Sequence, residues 1–222
     1  MTTSREVAPE RPPVDDSRRV LDRMTTFSDG VFAIAMTLMV VQLTVPLIPS
    51  SLPSAEIGHR LASALASLGP AYFSFGLSFV VIAASWVTHH RRFLTIRRYD
   101  GGLIWLNMLL LLCVVFVPFP TAVLGRYGDQ TVAVVLYAVT MAATAAVSVA
   151  MTLYTDRRGL SDPTPDPVRS RIVRGAVVPA VFLASIPVAL VSPSAAEWSW
   201  LALFVVSAAV GNTVRRLRRR PR

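Results

Sequence analysis

The residues that could carry acid–base or nucleophilic chemistry lie mainly in two short stretches, at Ser28-Asp29 and at His89-His90. A carboxylate and an imidazole could relay protons, because histidine titrates near neutral pH. A serine with a histidine base could attack an ester or amide, but no Gly-x-Ser-x-Gly turn surrounds Ser28. The sequence therefore predicts no catalytic residue and no enzyme.

The same residues are poorly arranged for a metal ion. Neighbouring His89 and His90 diverge by about 100° on a helix, so both cannot face one ion, and no His-Glu-x-x-His spacing occurs. Cys113 is the single cysteine of the chain and lies in an apolar run. Because there is no second cysteine, an intramolecular disulfide is excluded. We expect no metal site and no cofactor.

Apolar residues dominate the chain around these groups. Of the 222 residues, 53% are hydrophobic and 16% charged, and the mean hydropathy is +0.54. This composition predicts a membrane protein with the lipid bilayer as its surroundings. The 22 basic residues are all arginines, and they lie between apolar runs rather than along one amphipathic face. Nucleic acid is therefore not expected as a partner.

Six apolar runs have about the length that a transmembrane helix needs. Their predicted bounds are 27–47, 61–88, 101–124, 131–154, 172–191 and 198–214. Within the second run, Gly69-Pro70 marks either a kink or the true start of the helix. Residues 125–130 alone separate the third run from the fourth, which predicts a tight antiparallel pair.

The arginines orient these runs. Twenty of the 22 fall in the tails and in alternate loops, and only Arg60 and Arg126 fall on the opposite side. Because cytoplasmic loops collect arginine, the predicted fold is an all-α membrane protein with six transmembrane helices and both termini cytoplasmic. The predicted division is a disordered tail at 1–22, a transmembrane domain at 23–214 and a basic tail at 215–222.

The first run separates two kinds of residue around its helix. One stripe holds Arg23, Phe27, Ile34, Leu38 and Val41, with Thr37 beside it. Asp29 points to nearly the opposite side, where a carboxylate inside a bundle should be paired with His89, His90 or the arginines that follow them. We interpret Asp29 as a structural anchor, while the alternative that it titrates or binds a cation in a conduction path stays open.

Four motifs between residues 23 and 125 resemble a known signature. They are Arg23-x-x-x-Phe27-Ser28-Asp29 followed by Gly-Val-Phe-Ala-Ile-Ala-x-Thr-Leu, Trp86-x-x-His89-His90-Arg-x-Phe93, Trp105-Leu-Asn107, and Pro118-Phe-Pro120-Thr-x-x-Leu-Gly125. Together they resemble the bacterial branch of the endosomal and lysosomal potassium channel family, transmembrane protein 175. The resemblance covers the first three helices in detail, and the last three agree only as apolar spans.

The resemblance implies a homotetramer in which the four first helices line a pore. It also implies that the Thr-Val-Gly-Tyr-Gly filter of ordinary potassium channels is absent, and no such sequence occurs here. Ile34 resembles the narrowest hydrophobic ring of the family, with Leu38 and Val41 as further rings, although Val41 is smaller than the leucine expected there. Thr37 matches a hydroxyl position linked to cation preference. A structural network behind the pore is assigned to Arg23, Phe27, Ser28, Asp29, His89 and His90.

The predicted function is a potassium-preferring, passive cation channel in a prokaryotic plasma membrane, in which apolar rings gate by dewetting or steric closure. One alternative is a proton leak relayed by Asp29 with His89 or His90. A second is a secondary cation transporter, although no inverted repeat is visible. A third is a structural membrane protein that conducts nothing.

Overall fold

The computed structural model describes residues 16–163 and 168–200, and these residues are almost entirely helical. The helices are α1 (Asp16–Leu38), α2 (Ser54–Ser67), α3 (Gly69–Phe93), α4 (Gly101–Phe116), α5 (Pro118–Tyr127), α6 (Thr131–Arg157) and α7 (Val168–Val191). Five segments are long and apolar enough to cross a membrane: Ser17–Gln42, Gly69–Phe93, Gly101–Tyr127, Thr131–Arg157 and Arg169–Val191. The chain is thus an all-helical protein with five candidate membrane spans in its described part.

The first helix lies nearer the N-terminus than its hydropathy predicts. Helix α1 ends at Leu38 and continues as a 3-10 turn, Met39–Gln42, so the predicted bounds 27–47 are wrong at both ends. Its early start is stabilised by Leu21, which is buried in an apolar cluster with Phe93. The hydropathy pattern shows where the apolar residues lie, whereas the bounds of the helix depend on its backbone hydrogen bonds.

The second predicted run, 61–88, consists of two helices. Helix α3 begins at Gly69 with Pro70 in its first turn, where the missing N–H costs nothing. The true-start interpretation of Gly69-Pro70 is therefore confirmed. Helix α2 before it has 14 residues and buries none of them, so at 1.5 Å per residue it is too short to span a bilayer.

The third span is broken, and it packs against the fourth. Asp100 caps α4 by accepting a hydrogen bond from the Leu103 N–H at 2.9 Å, and the chain leaves α4 at Val117 to begin α5 with Pro118. Helices α4 and α5 both contact α6, which confirms the antiparallel pair. The sixth predicted run, 198–214, lies outside the described residues except for 198–200, which belong to a helical stretch at 193–200.

Two ends of the bundle differ in charge. The arginine-rich end contains the segments 91–98, 157–163 and 168–174, and the arginine-poor end contains the turn between α5 and α6. At the arginine-rich end the two loops are joined, because Ile96 and Ser161 form a single antiparallel bridge and Arg97 pairs with Asp162 at 2.6 Å. Gly159 permits this approach by ending α6 at a φ of +60°.

Candidate functional site on the first helix

One face of α1 and its 3-10 turn is exposed and apolar. The exposed fractions of its large side chains are 56% for Phe27, 59% for Ile34, 48% for Leu38 and 73% for Val41. Thr37 is exposed beside them, and its hydroxyl donates to the Ile34 carbonyl at 2.9 Å. A face this apolar is not left to water, so in the working protein it meets lipid, another chain or a narrow pore.

The opposite face of the same helix is buried in the bundle. It presents Ser28, Phe32, Ala35 and Met39, each at most 1% exposed, to α3, α4 and α5. The structure therefore separates the residues of the first helix as the helical periodicity predicts. Arg23 is exposed, about 140° around the helix from Ser28, and it lies apart from the buried polar cluster.

Ser28 and His89 are joined through Asn107, which sequence reasoning did not assign to the site. The Asn107 amide donates to Ser28 Oγ at 3.0 Å, and Ser28 donates to the Met24 carbonyl at 2.8 Å. His89 Nε2 lies 2.9 Å from Asn107 Oδ1. Because that amide oxygen only accepts, Nε2 carries the proton. All three side chains are fully buried.

This arrangement fixes the helices and leaves no base for a nucleophile. The Ser28 hydroxyl proton is directed to a backbone carbonyl, and the His89 nitrogen that faces the cluster is a donor. The His89 ring packs between Phe32, at 5.5 Å between ring centroids, and Phe93, at 4.5 Å. Ser28, Asn107 and His89 thus tie α1, α4 and α3 together in an apolar surrounding.

Asp29 has a partner that differs from the expected one. The Trp86 indole N–H donates to Asp29 Oδ1 at 2.8 Å, whereas His89, His90 and the arginines after them were the predicted partners. His90 stacks on the ring of Trp86, and the two ring centroids are 5.6 Å apart. Trp86 lies near the end of an apolar run, where the sequence alone predicts a residue of the interfacial aromatic belt. The available signal was its spacing, because residues 86, 89 and 90 share one side of a helix.

Arg92 also binds elsewhere than expected. Its guanidinium Nη2 donates to the Ser148 carbonyl at 2.7 Å, to Ser148 Oγ at 2.9 Å and to Thr152 Oγ1 at 3.0 Å. It therefore joins α3 to α6 at the arginine-rich end instead of neutralising Asp29. Within residues 16–163 and 168–200, no group of three or more His, Cys, Asp or Glu side chains could hold a metal ion.

The bundle of membrane-length helices, with a polar cluster behind one apolar helix face, defines a multi-pass membrane protein. Residues 23–118 match the family described as the endosomal/lysosomal potassium channel TMEM175. A potassium channel of Streptomyces collinus is 38% identical over 157 residues, which are 68% of this chain and 73% of that protein. The chain belongs to the TMEM175 family, which consists of ion channels and not of enzymes.

Other relatives extend the comparison. A potassium channel of Chamaesiphon minutus is 47% identical over 105 residues, which are 47% of this chain and 49% of that protein. The endosomal/lysosomal proton channel TMEM175 of Homo sapiens is 32% identical over 89 residues, 40% of this chain and 18% of that much longer protein. The chain therefore spans about half of one of these relatives and less than a fifth of the other.

Solved structures agree with this fold. The crystal structure of a lysosomal potassium-selective channel TMEM175 homolog from Chamaesiphon minutus has a TM-score of 0.72 and 32% sequence identity, over 87% of this chain and 99% of that one. A variant of the potassium channel MtTMEM175, in complex with a nanobody fusion, has a TM-score of 0.60 at 19% identity, over 87% and 93% of the two chains. The second likeness concerns the fold alone.

Proposed function

We propose that this protein is a potassium-preferring, passive cation channel whose pore is lined by the exposed face of α1. The observation that carries the proposal is the difference between the two faces of α1. Ile34, Leu38 and Val41 are about half exposed or more, while a buried polar cluster fixes the opposite face to the bundle. The names of the bacterial relatives, which are potassium channels, support the choice of ion.

The assembly that fits this face is a homotetramer in which four copies of α1 surround the pore. Each subunit would contain six transmembrane helices, the five described spans and one that includes residues 198–214, with both termini cytoplasmic. The concentration of arginine at one end of the bundle supports this orientation. The proposed layout is a channel domain that begins with α1 and ends at 214, followed by the tail 215–222, in a prokaryotic cell membrane. Residues 16–22, predicted as part of the tail 1–22, belong to α1 instead, because Leu21 is buried in the bundle.

Gating in this proposal depends on apolar rings. Four copies of Ile34 form the narrowest ring, with Leu38 and Val41 further along, and an ion stripped of water finds no ligand at any of them. Opening must widen or rotate the α1 helices until a hydrated or partly hydrated ion can pass. Thr37, whose exposed hydroxyl lies on the same face, supplies the oxygen ligands on which cation preference depends.

The network of Ser28, Asp29, His89 and His90 has a structural role in this proposal. Buried hydrogen bonds to Asn107 and Trp86 hold α1 at a fixed angle to α3 and α4. Phe27 and Arg23 lie on the exposed side, so they would face the pore entrance at the arginine-rich end. The permeant potassium ion is the substrate of the channel, and no resident cofactor is proposed.

A proton leak is the second candidate, and one observation favours it. The vertebrate relatives are named proton channels, and the buried His89 lies behind α1 with Asp29 on the same side of the helix. Reversal potentials measured with opposed potassium and pH gradients separate the two functions. A potassium channel reverses near the potassium equilibrium potential, whereas a proton leak follows the pH gradient.

The experiment that tests the proposed function is flux into liposomes that contain the purified protein, with potassium as the sole permeant cation. The proposal predicts passive, non-saturating potassium entry that protein-free liposomes lack. Saturating flux coupled to a second ion would instead support a secondary transporter. Protein that is folded and inserted but carries no ion would support a structural role.

A further inference from the structure

Three buried hydroxyl groups connect α3, α5 and α6 in the part of the bundle nearest the arginine-poor end. Ser78 Oγ lies 2.8 Å from Thr121 Oγ1 and 3.0 Å from the Tyr137 hydroxyl. Ser78 and Tyr137 are fully buried, and Thr121 is 1% exposed. A buried hydroxyl without a partner is costly, so these three groups depend on one another.

The direction of this hydrogen-bond chain follows from its last acceptor. Thr121 Oγ1 lies 2.8 Å from the Val117 carbonyl oxygen, which can only accept, so the single Thr121 proton is used there. The Thr121 oxygen therefore accepts from Ser78, and the Ser78 oxygen accepts from Tyr137. Each hydroxyl donates once, in the order Tyr137, Ser78, Thr121 and the carbonyl of Val117, and such chains reinforce their members.

The hydrogen-bond chain ends at Val117, where the third span is interrupted between α4 and α5. Val117 separates α4 from α5, and Pro118 and Pro120 after it have no N–H to donate. The Val117 carbonyl accepts the Thr121 N–H at 3.1 Å as well as its hydroxyl. The three hydroxyls thus fix the beginning of α5 at the point where two prolines remove backbone N–H donors from the span.

A close approach of two backbones extends this contact along α5. A Cβ atom placed on Gly125 would lie 2.6 Å from Ser74 Oγ and 3.0 Å from the Ala71 Cα. Thr121 and Gly125 are one turn apart, as are Ser74 and Ser78. Small residues allow helices in a membrane to approach closely, so α5 is held against α3 over two turns.

The 3-10 turn at the end of α1 rests on this pair of helices. Met39–Gln42 contacts both α5 and α3, and Met39 is fully buried in the apolar cluster that contains Val117, Leu124 and Tyr137. Val41, in the same turn, is exposed on the side assigned to the pore. Helix α5 is therefore one of the supports that position Val41, together with α1 and α3.

We propose that Ser78, Thr121 and Tyr137 are positioning residues for the end of the pore formed by Met39–Gln42, and that they act through α5. This inference rests on the proposed pore along α1. Flux through an apolar ring is dominated by its widest fluctuations, because the barrier for an ion falls steeply as the ring widens. Weaker packing of α5 against α3 and α6 lets the 3-10 turn move further, and this raises the basal flux.

The first test compares four variants with the wild type in the potassium-flux assay. Thr121→Val and Tyr137→Phe each remove one hydroxyl with little change of shape, and we expect each to raise basal flux per channel about threefold, the factor that corresponds to an average interhelical hydrogen bond in a membrane. Thr121→Ser keeps the hydroxyl and should conduct as the wild type. Tyr127→Phe is the matched control, because Tyr127 is an exposed tyrosine on α5.

The second test measures hydrogen–deuterium exchange of the backbone amides of Met39–Gln42, which requires no conduction. We expect faster exchange in Thr121→Val and Tyr137→Phe and no change in Tyr127→Phe. Wild-type flux or wild-type exchange in both hydroxyl-deleted variants overturns the inference. A wild-type protein that carries no potassium contradicts the proposed function, and the exchange measurement then decides the positioning role alone.

Discussion

At the scale of single residues, the Asp29 carboxylate of the first helix does not face the same way as the exposed apolar side chains. Asp29 is bound by the Trp86 indole behind the helix, while Ile34 lies on the open face. A carboxylate inside a membrane span commonly indicates an ion pathway. In this protein its geometry is that of an anchor, so the uncharged side chains are the ones to change when conduction is tested.

We predict that Ile34→Asn raises basal potassium current roughly tenfold, the effect of lowering the barrier by about 1.4 kcal/mol. If Ile34 forms the proposed narrowest ring, an amide at this position offers the ion a partner that isoleucine cannot. Unitary currents and open fractions recorded in planar bilayers measure the change. Leu112→Asn is the control, because Leu112 is exposed on α4, and an Ile34→Asn current equal to that of the wild type would remove Ile34 from the pore.

Trp86→Phe should lower the thermal stability of the purified protein. The substitution keeps an aromatic ring beside His90 but leaves the partly buried Asp29 carboxylate without its N–H donor, at a cost of roughly 1–3 kcal/mol. The midpoint of thermal unfolding in detergent measures the effect. Trp105→Phe should change it little, because Trp105 is exposed, and equal midpoints for the two variants would contradict the anchoring role of Asp29.

At the scale of elements, helix packing depends on a few positions where only a small side chain fits. A Cβ on Gly102 would collide with the Tyr154 hydroxyl, whereas one on Gly101 meets nothing within 4 Å. Tyr154 in turn donates to Asp100 Oδ2 at 2.8 Å. The start of α4 and the end of α6 are thus joined around the carboxylate that caps α4.

Gly102→Ala should destabilise the protein, because the new methyl group displaces Tyr154 and breaks its hydrogen bond to Asp100. We expect a loss of about 1–3 kcal/mol, the usual range for forcing extra volume into a packed site. Gly101→Ala is the neighbouring control and should cost nothing. The comparison is made by thermal or denaturant unfolding, and equal stability of the two variants would show that α4 and α6 do not meet in this way.

Asp100 also predicts a pH dependence. The pKa of the Asp100 carboxyl lies below its usual value. The main cause is the hydrogen bond from the Leu103 N–H, and the Tyr154 hydroxyl and the Arg158 guanidinium act in the same direction. The ionised form is therefore favoured by folding, so its contribution is complete above the unfolded pKa of about 3.9 and is lost as the pH falls through the lower folded value. The stability difference between the wild type and Asp100→Asn should be constant near neutral pH and shrink in acid. A difference that stays constant throughout the acid range would exclude this role.

Local patterns predicted the elements better than their ends. Gly69-Pro70 identified the start of α3, because a proline in a first helical turn loses no hydrogen bond. The bounds of α1 were wrong, because hydropathy reports the apolar stretch, whereas the helix is extended backwards by the burial of Leu21. Asn107 and Trp86 were missed as cluster residues, since their partners are brought together only by the packing of α1, α3 and α4.

At the scale of the whole molecule, two features bear on function. The two ends of the bundle differ in charge, and one apolar face of α1 is not covered by the rest of the described chain. The membrane class followed from composition. The alternation of arginine-rich and arginine-poor loops predicts which way each span crosses the membrane, and this orientation stays a prediction. An assembly around α1 would cover that face. Sequence periodicity could separate the two sides of α1, but it could not show which neighbour covers either of them.

The most direct test of the pore assignment is accessibility to a thiol reagent during potassium current. In a Cys113→Ala background, cysteine is introduced at Ile34 or Thr37 on the open face of α1, and at Leu109, which is exposed on α4. We predict that a small water-soluble methanethiosulfonate blocks the current of the Ile34→Cys and Thr37→Cys channels and leaves that of Leu109→Cys unchanged. Currents that persist in both α1 variants while the reagent blocks Leu109→Cys would contradict a pore lined by α1.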